Sequence, residues 1–314
     1  MARALLIQPP LLLHGEFIDY PYFTGAGLWQ AAATLRAAGH EVTVADAFCL
    51  RTSSLMAERE GMIRLGVPWA TFAEHLPTER PDAIVIANSP WQRSRPASAE
   101  LTRFVATLKQ RWPDTPTVLA DCDIGGMHFI AWGAGDLDEL GIDWGQQYEA
   151  DTTLPTLITD LAAGGTPAQR ITQGAPDDTA LDALPLPAYD LIDMTHFQAF
   201  LGRVARARHK DELFDCTPPL LALKTSRGCD YSCNFCTSNP WQRDGLEGRD
   251  YRTYTPAALL AHLGHLQAEF GVHRVVVLDE LVNVNTRHLD GLLDALEALD
   301  MRADFPNGMR ADRL

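Results

Sequence analysis

At 314 residues the chain exceeds what one hydrophobic core usually fills, so two domains are expected. Its hydrophobic share of 46% is that of an ordinary globular protein, and its apolar runs are far too short to span a bilayer. Forty-one acidic residues against 26 basic ones give a formal charge of -15, which argues against a broad phosphate-binding surface and against nucleic acid as a partner.

The N-terminal stretch MARALLIQPPLLLHGEF has the look of a signal peptide, but Pro9 and Pro10 interrupt it and no small-residue cleavage site follows. It reads instead as a first buried strand, residues 3–9, and a loop carrying His14. A helix over 27–40 follows, with Leu28, Ala31, Ala32 and Leu35 on one face and Gly39 as its stop. Strands are expected at 41–46, 82–89 and 116–121, with a helix at 98–112 whose Leu101, Phe104, Val105 and Leu108 recur at helical spacing behind a Ser98 cap. A less regular stretch leads to a closing helix at 151–165. Strands alternating with helices imply an α/β fold with a doubly wound parallel sheet, which binds ligands beyond the carboxyl ends of its strands. From 171 to 218 the Pro- and Asp-rich composition predicts an extended connector over the surface, and the basic run GRVARARHK (202–210) reads as a solvated linker or helix face. Alternation resumes with a strand at 220–229 and a helix at 255–271, with Leu260, Leu263, Leu266 and Phe270 in one stripe. A strand at 274–280, a helix at 286–300 and a last strand from 302 complete the pattern. There is no internal repeat or low-complexity tract.

Three of the six cysteines, Cys229, Cys233 and Cys236, fall within eight positions of the segment KTSRGCDYSCNFCTSNPWQR. With no membrane span and no signal peptide, the chain is placed in the cytoplasm, where thiols stay reduced and clustered cysteines favour metal over disulfides. A zinc site draws on four Cys or His ligands, yet no fourth cysteine is near, and His262 and His265 lie on a helix well downstream. Three thiolates at this spacing can hold three irons of a four-iron cluster and leave the fourth open to a small ligand. Inert structural thiols would be out of place in a loop containing Gly, Asp and Asn.

C-x3-C-x2-C after a strand, with the aromatic Phe235 just before the last cysteine, resembles the signature of the radical SAM superfamily. The resemblance implies a 4Fe-4S cluster on Cys229, Cys233 and Cys236. It also implies S-adenosylmethionine (SAM) chelating the open iron through its amino and carboxylate groups, and reductive cleavage to methionine and a 5'-deoxyadenosyl radical. Phe235 would lie near the adenine. Asp279 or Glu280, at the end of the second barrel strand, would contact the methionine amino group, a solvated loop being the alternative reading of that acidic pair.

ALPLPAYDLID (183–193) is similar to the connector of radical SAM proteins that carry an N-terminal cobalamin-binding domain, and VVVLDELVNVNTRHL and NGMRADRL resemble that group's second and third barrel segments. By this resemblance residues 1–170 form a Rossmann-like cobalamin-binding-type domain, 171–218 a connector, and 219–314 the first half of a radical SAM partial (β/α) barrel. The loop after the first strand, the Ser89 region and the pair Gly125 and Gly126 would approach the corrin, since glycine lets a planar ligand sit against backbone; a plain turn explains the pair equally well. The D-x-H-x-x-G motif that gives cobalt a histidine in some cobalamin domains is absent, and His14 lacks its flanks. Many radical SAM relatives bind cobalamin without it.

The implied activity is cobalamin-dependent C-methylation of a small-molecule or peptide substrate, with an electron donor such as flavodoxin or ferredoxin and no membrane partner. Two alternatives stand beside it. One is a cobalamin-independent rearrangement, cyclisation or methylthio transfer, the last requiring a second cluster on Cys49, Cys122 and Cys216. The other is a noncatalytic iron–sulfur electron-transfer module. Three strand–helix units follow residue 219, where the family's barrel has six, so the chain is expected to be a fragment of a longer enzyme to which the activity belongs.

Overall fold

The computed structural model describes residues 1–15, 25–88, 99–122, 133–174, 181–207, 217–231, 233, 236 and 251–313. Strand β1 (Arg3–Gln8) is apolar along most of its length, and its side chains alternate: Ala4 and Leu6 enter one core layer, Leu5 and Ile7 another. A strand apolar on both sides needs cover on both faces. Helices α1 (Ala26–Ala37) and α5 (Ala150–Ala162) cover one face through Leu28, Leu35, Leu154 and Ile158. On the other face lie α2 (Trp69–Phe72), α3 (Ala99–Arg111) and α4 (Ala134–Leu140), which contribute Phe72, Phe104, Leu108 and Leu137.

The strands β3 (Glu41–Asp46), β6 (Ala83–Asn88), β7 (Thr117–Asp121), β8 (Trp144–Tyr148) and β9 (Ile171–Gly174) join β1 in a six-stranded parallel sheet of order β3-β1-β6-β7-β8-β9. The α/β architecture is therefore as expected from periodicity. The strand order reverses between β1 and β6, whose last residues, Gln8 and Asn88, sit where such sheets open a ligand crevice. Strands β8 (WGQQY) and β9 (ITQG) carry no apolar run, and parallel pairing to β7 and to each other makes them strands. A separate antiparallel sheet, β2-β5-β4, is made by β2 (Leu11–His14), β4 (Ser54–Ala57) and β5 (Met62–Gly66), and exposed His14 lies opposite Met62 in it.

The stretch expected as an extended surface connector contains α6 (Met194–Ala207), which buries Phe197, Phe200, Leu201 and Val204. That i, i+3, i+4, i+7 spacing is a helical stripe; the Pro-rich run before it masked the signal. Phe197 meets Trp29 edge-on at 5.2 Å and Phe200 stacks on Phe48 at 5.6 Å. Arg203 and Arg206 of the basic run occupy the exposed face of α6.

Beyond α6, β10 (Leu220–Leu223), β13 (Arg274–Val277) and β14 (Arg302–Asp304) form a three-stranded parallel sheet. Its helices are α7 (Pro256–Phe270), capped by Thr255, and α8 (Thr286–Ala298), capped by Asn285. In α7 the buried stripe is Leu259, Leu263 and Leu266, whereas Leu260 is 41% exposed. The strand expected across 220–229 breaks after Leu223: β11 (Ser226–Gly228) leaves the parallel sheet and pairs antiparallel with β12 (Tyr251–Thr253). One apolar cluster runs from α1 and α5 through α6 to β10, β13 and α7, so the two parallel sheets share a core. Among the described residues no helix is long and apolar enough to cross a membrane.

Candidate functional site

Gly228 closes β11 with φ 78°, a left-handed backbone that glycine adopts without strain, and delivers Cys229 directly beyond the hairpin strand. Cys229 is buried, Cys236 is half-buried and Cys233 is exposed, with the Cys236 amide donating to the Cys233 carbonyl at 3.0 Å. Burial pushes the Cys229 thiol above its ordinary pKa; a bond to the Tyr231 backbone opposes this, and the Glu280 carboxylate and the other two thiols add to the rise. The three sulfurs and Glu280 therefore share one electrostatic neighbourhood. Among the described residues no three Cys, His, Asp or Glu side chains converge as a preformed metal-ligand group. The donor set nonetheless fits a soft metal centre: three thiols sit on one short loop, and a cation that takes them as thiolates would offset the burial that raises Cys229.

Asp279 and Glu280, which the sequence could not tell apart, have opposite surroundings just past the end of β13. Asp279 accepts from Thr225 N at 2.7 Å, from Thr225 Oγ1 at 2.6 Å and from Ser226 Oγ at 2.6 Å, while His288 Nε2 stands 3.6 Å away. Burial pushes Asp279 up, but the bonds from His288, Ser226 and Thr225 outweigh it and hold the carboxyl below its ordinary value. Because the Thr225 hydroxyl donates to Asp279, the His288 Nε2 at 2.9 Å must be the protonated nitrogen and donate to Thr225. These bonds draw residues 225–226 toward the end of β13 and account for the break after Leu223.

Glu280 Oε1 accepts from Lys224 Nζ at 2.6 Å, but its Oε2 is buried without a partner among the described residues. Burial raises the Glu280 pKa to about 7, against the opposing pull of the Lys224 ammonium. A buried carboxylate oxygen left unpaired is costly, and it marks a position for a donor from beyond the described residues. Asp279 is thus a structural anchor, and Glu280 is the acid with an acceptor to offer.

Several contributors went unread in the sequence. Asn307 Nδ2 donates to the Asp279 carbonyl at 2.9 Å and Asn283 exchanges bonds with the backbone of Arg310, binding the NGMRADR segment to the loop that carries Asp279 and Glu280. The Arg310 guanidinium lies 4.9 Å from the ring centroid of Tyr231, two residues past Cys229.

At the carboxyl edge of the six-stranded sheet, Asn88 Nδ2 donates to Asp121 Oδ1 at 2.9 Å and Tyr148 N to Asp121 Oδ2 at 3.0 Å. Asp46, at the end of β3, accepts from Trp29 Nε1 at 3.0 Å, and burial raises its pKa to about 6. Cys49 is a core thiol beside it, and burial together with Asp46 holds it well above its ordinary pKa. Cys122 is half-buried at the end of β7. Ser89, Gly125, Gly126, Cys216 and Phe235 lie outside the described residues.

No family model matches the chain. It is 24% identical over 331 aligned positions to an anaerobic magnesium-protoporphyrin IX monomethyl ester cyclase of Synechocystis sp., across 99% of this chain and 56% of that protein. It is 27% identical over 172 residues to an uncharacterized methyltransferase of Synechocystis sp., covering 54% of this chain and 26% of the relative. A second uncharacterized methyltransferase, of Pyrococcus horikoshii, is 27% identical over 108 residues, 34% of this chain and 19% of the relative. The chain thus spans little more than half of the cyclase and smaller shares of the other two.

Proposed function

We propose that the chain carries the cluster- and SAM-binding part of a radical SAM enzyme, in which Cys229, Cys233 and Cys236 hold a four-iron four-sulfur cluster and Glu280 receives the methionine end of SAM. The observation that carries this reading is the buried Glu280 Oε2, partnerless among the described residues and in the same neighbourhood as Cys229. When bound, the reduced cluster supplies the electron that cleaves SAM. The chain's own residues position and select. Glu280 Oε2 would be the acceptor for the amino group, while Lys224 fixes the other oxygen and favours the ionised carboxylate, and Asp279 ties the turn before Cys229 to β13. The six-stranded sheet, with its strand reversal at β1 and β6, is assigned as a cobalamin-binding-type crevice.

The outcome we assign is methylation, in line with the relatives named as methyltransferases, on a small-molecule or peptide substrate and with a flavodoxin- or ferredoxin-type electron donor. Ring closure is the second reading, favoured by the cyclase being the relative that aligns across 99% of this chain. Anaerobic reconstitution of the full chain tests the shared step. About four irons per chain are expected, falling to near zero when all three cysteines are changed to Ala. One tightly held zinc with no iron-dependent colour would remove the proposal.

A further inference from the structure

Four buried charges join the N-terminal parallel sheet to the β11–β12 hairpin beside the cysteine loop. Arg227, 1% exposed, donates from one terminal nitrogen to Glu149 Oε2 at 3.1 Å and Asp151 Oδ1 at 3.2 Å, and from the other to Asp151 Oδ2 at 2.5 Å. Arg252 donates to Glu149 Oε1. All four side chains are less than 9% exposed, and their formal charges cancel. The two acids belong to the N-terminal sheet: Glu149 follows β8 and Asp151 lies in the first turn of α5. Their placement starts from Tyr148, held in left-handed backbone at φ 69°. The two arginines belong to the hairpin that ends at Cys229.

That hairpin cannot stand by itself. Each strand has three residues, and an isolated two-stranded ribbon is marginal in water. Moreover, Arg227 and Arg252 are directly paired across it, a like-charge juxtaposition that opposes strand pairing. Buried side by side, two guanidinium groups require anions, and Glu149 and Asp151 supply them. Hydrogen bonding reinforces the dependence, since both Nε atoms remain unpartnered and each guanidinium is held solely through its terminal nitrogens among the described residues. The register of β11 on β12, and with it the position of Cys229 one residue past Gly228, is therefore set from outside the hairpin.

We infer that Glu149 and Asp151 of the N-terminal sheet are positioning residues for the cysteine triad, clamping the Arg227–Arg252 hairpin so that Cys229 is presented at the Glu280 site. The inference deepens the iron–sulfur reading, because it makes the carboxyl edge of the N-terminal sheet part of the cysteine site. A group bound at that edge near β8 and a group bound on the cysteines would each favour the docked hairpin and so favour each other.

The test uses the metal-free full chain under reducing conditions, so that it does not depend on iron. Alkylation by iodoacetamide is followed residue by residue by mass spectrometry, with exposed Cys233 as the fast reference and core thiol Cys49 as the internal report on global folding. In Glu149→Gln and in Asp151→Asn, Cys229 should react about tenfold or more faster than in the wild type while Cys49 stays protected. Arg227→Lys, which keeps the charge but loses the bidentate fork, should give a smaller rise. Glu149→Gln combined with Arg252→Gln, which restores charge balance, should recover much of the protection. Asp138→Asn, at a solvent-facing pair between α4 and Arg170 just before β9, should change nothing. Unchanged Cys229 reactivity in Glu149→Gln would overturn the inference, as would parallel exposure of Cys49 and Cys229, which makes the network a general stabiliser. Failure of the wild type to take up iron would remove the cluster reading and leave this result intact.

Discussion

The two parallel sheets handle buried polarity in opposite ways. In the six-stranded sheet the polar groups at the strand ends satisfy one another: Asn88 serves Asp121, Tyr148 N serves Asp121, and Trp29 serves Asp46. Among the described residues, Glu280 Oε2, His288 Nδ1, Arg227 Nε and Arg252 Nε of the three-stranded sheet and its hairpin are buried without partners, against Gln146 Oε1 in the larger sheet. A core that leaves several polar atoms open in one corner has a local conflict, and such conflicts concentrate where function requires them.

The comparison breaks most visibly at Asp279. Replacing it by Ala strips the acceptor from Thr225 N, Thr225 Oγ1 and Ser226 Oγ in a buried site. The loss in urea unfolding should be about 3 kcal/mol or more, given the penalty for each stranded donor. A loss below about 1 kcal/mol would mean that the turn before the cysteines is held by other contacts.

Glu280 sharpens the same contrast through pH. Its folded pKa is raised from 4.5 to about 7, so the folded state holds a proton that the unfolded chain releases. That contribution is fully present below about pH 4.5 and is lost as pH rises through 7, a total of about 3 kcal/mol for a shift of this size. Asp46 runs in the same direction and His262, lowered by burial to about 4, in the reverse, so the quantity to measure is a difference. Between pH 5 and pH 8 the wild type should lose more unfolding free energy than Glu280→Gln; equal slopes would place Glu280 in contact with solvent.

How much of this was legible depended on whether the signal was local. Strands such as the apolar run ALLIQ (4–8) and helices such as 99–111 announce themselves by their patterns, and the cysteine triad by spacing. Strands β8 and β9 do not, because their Gln, Gly and Thr residues are held by neighbours rather than by a pattern of their own. Helix α6 was hidden by the proline-rich segment before it. The choice between Asp279 and Glu280 was illegible for a different reason: adjacent residues at a strand end differ only in what faces them, and Lys224, Thr225 and His288 are brought there by the fold. Likewise, Arg227 and Arg252 become a pair only through the hairpin, and acquire their anions only through the docking of the sheets.

The central claim, that the cysteines and Glu280 form one cofactor site, is tested most directly by electron paramagnetic resonance of the reduced, iron-reconstituted chain titrated with SAM. The account predicts that SAM shifts the cluster signal of the wild type, and that Glu280→Gln keeps its iron but needs about tenfold more SAM for the same shift, as expected for losing one hydrogen bond to a charged acceptor. A wild-type cluster signal that saturating SAM leaves unmoved would contradict it.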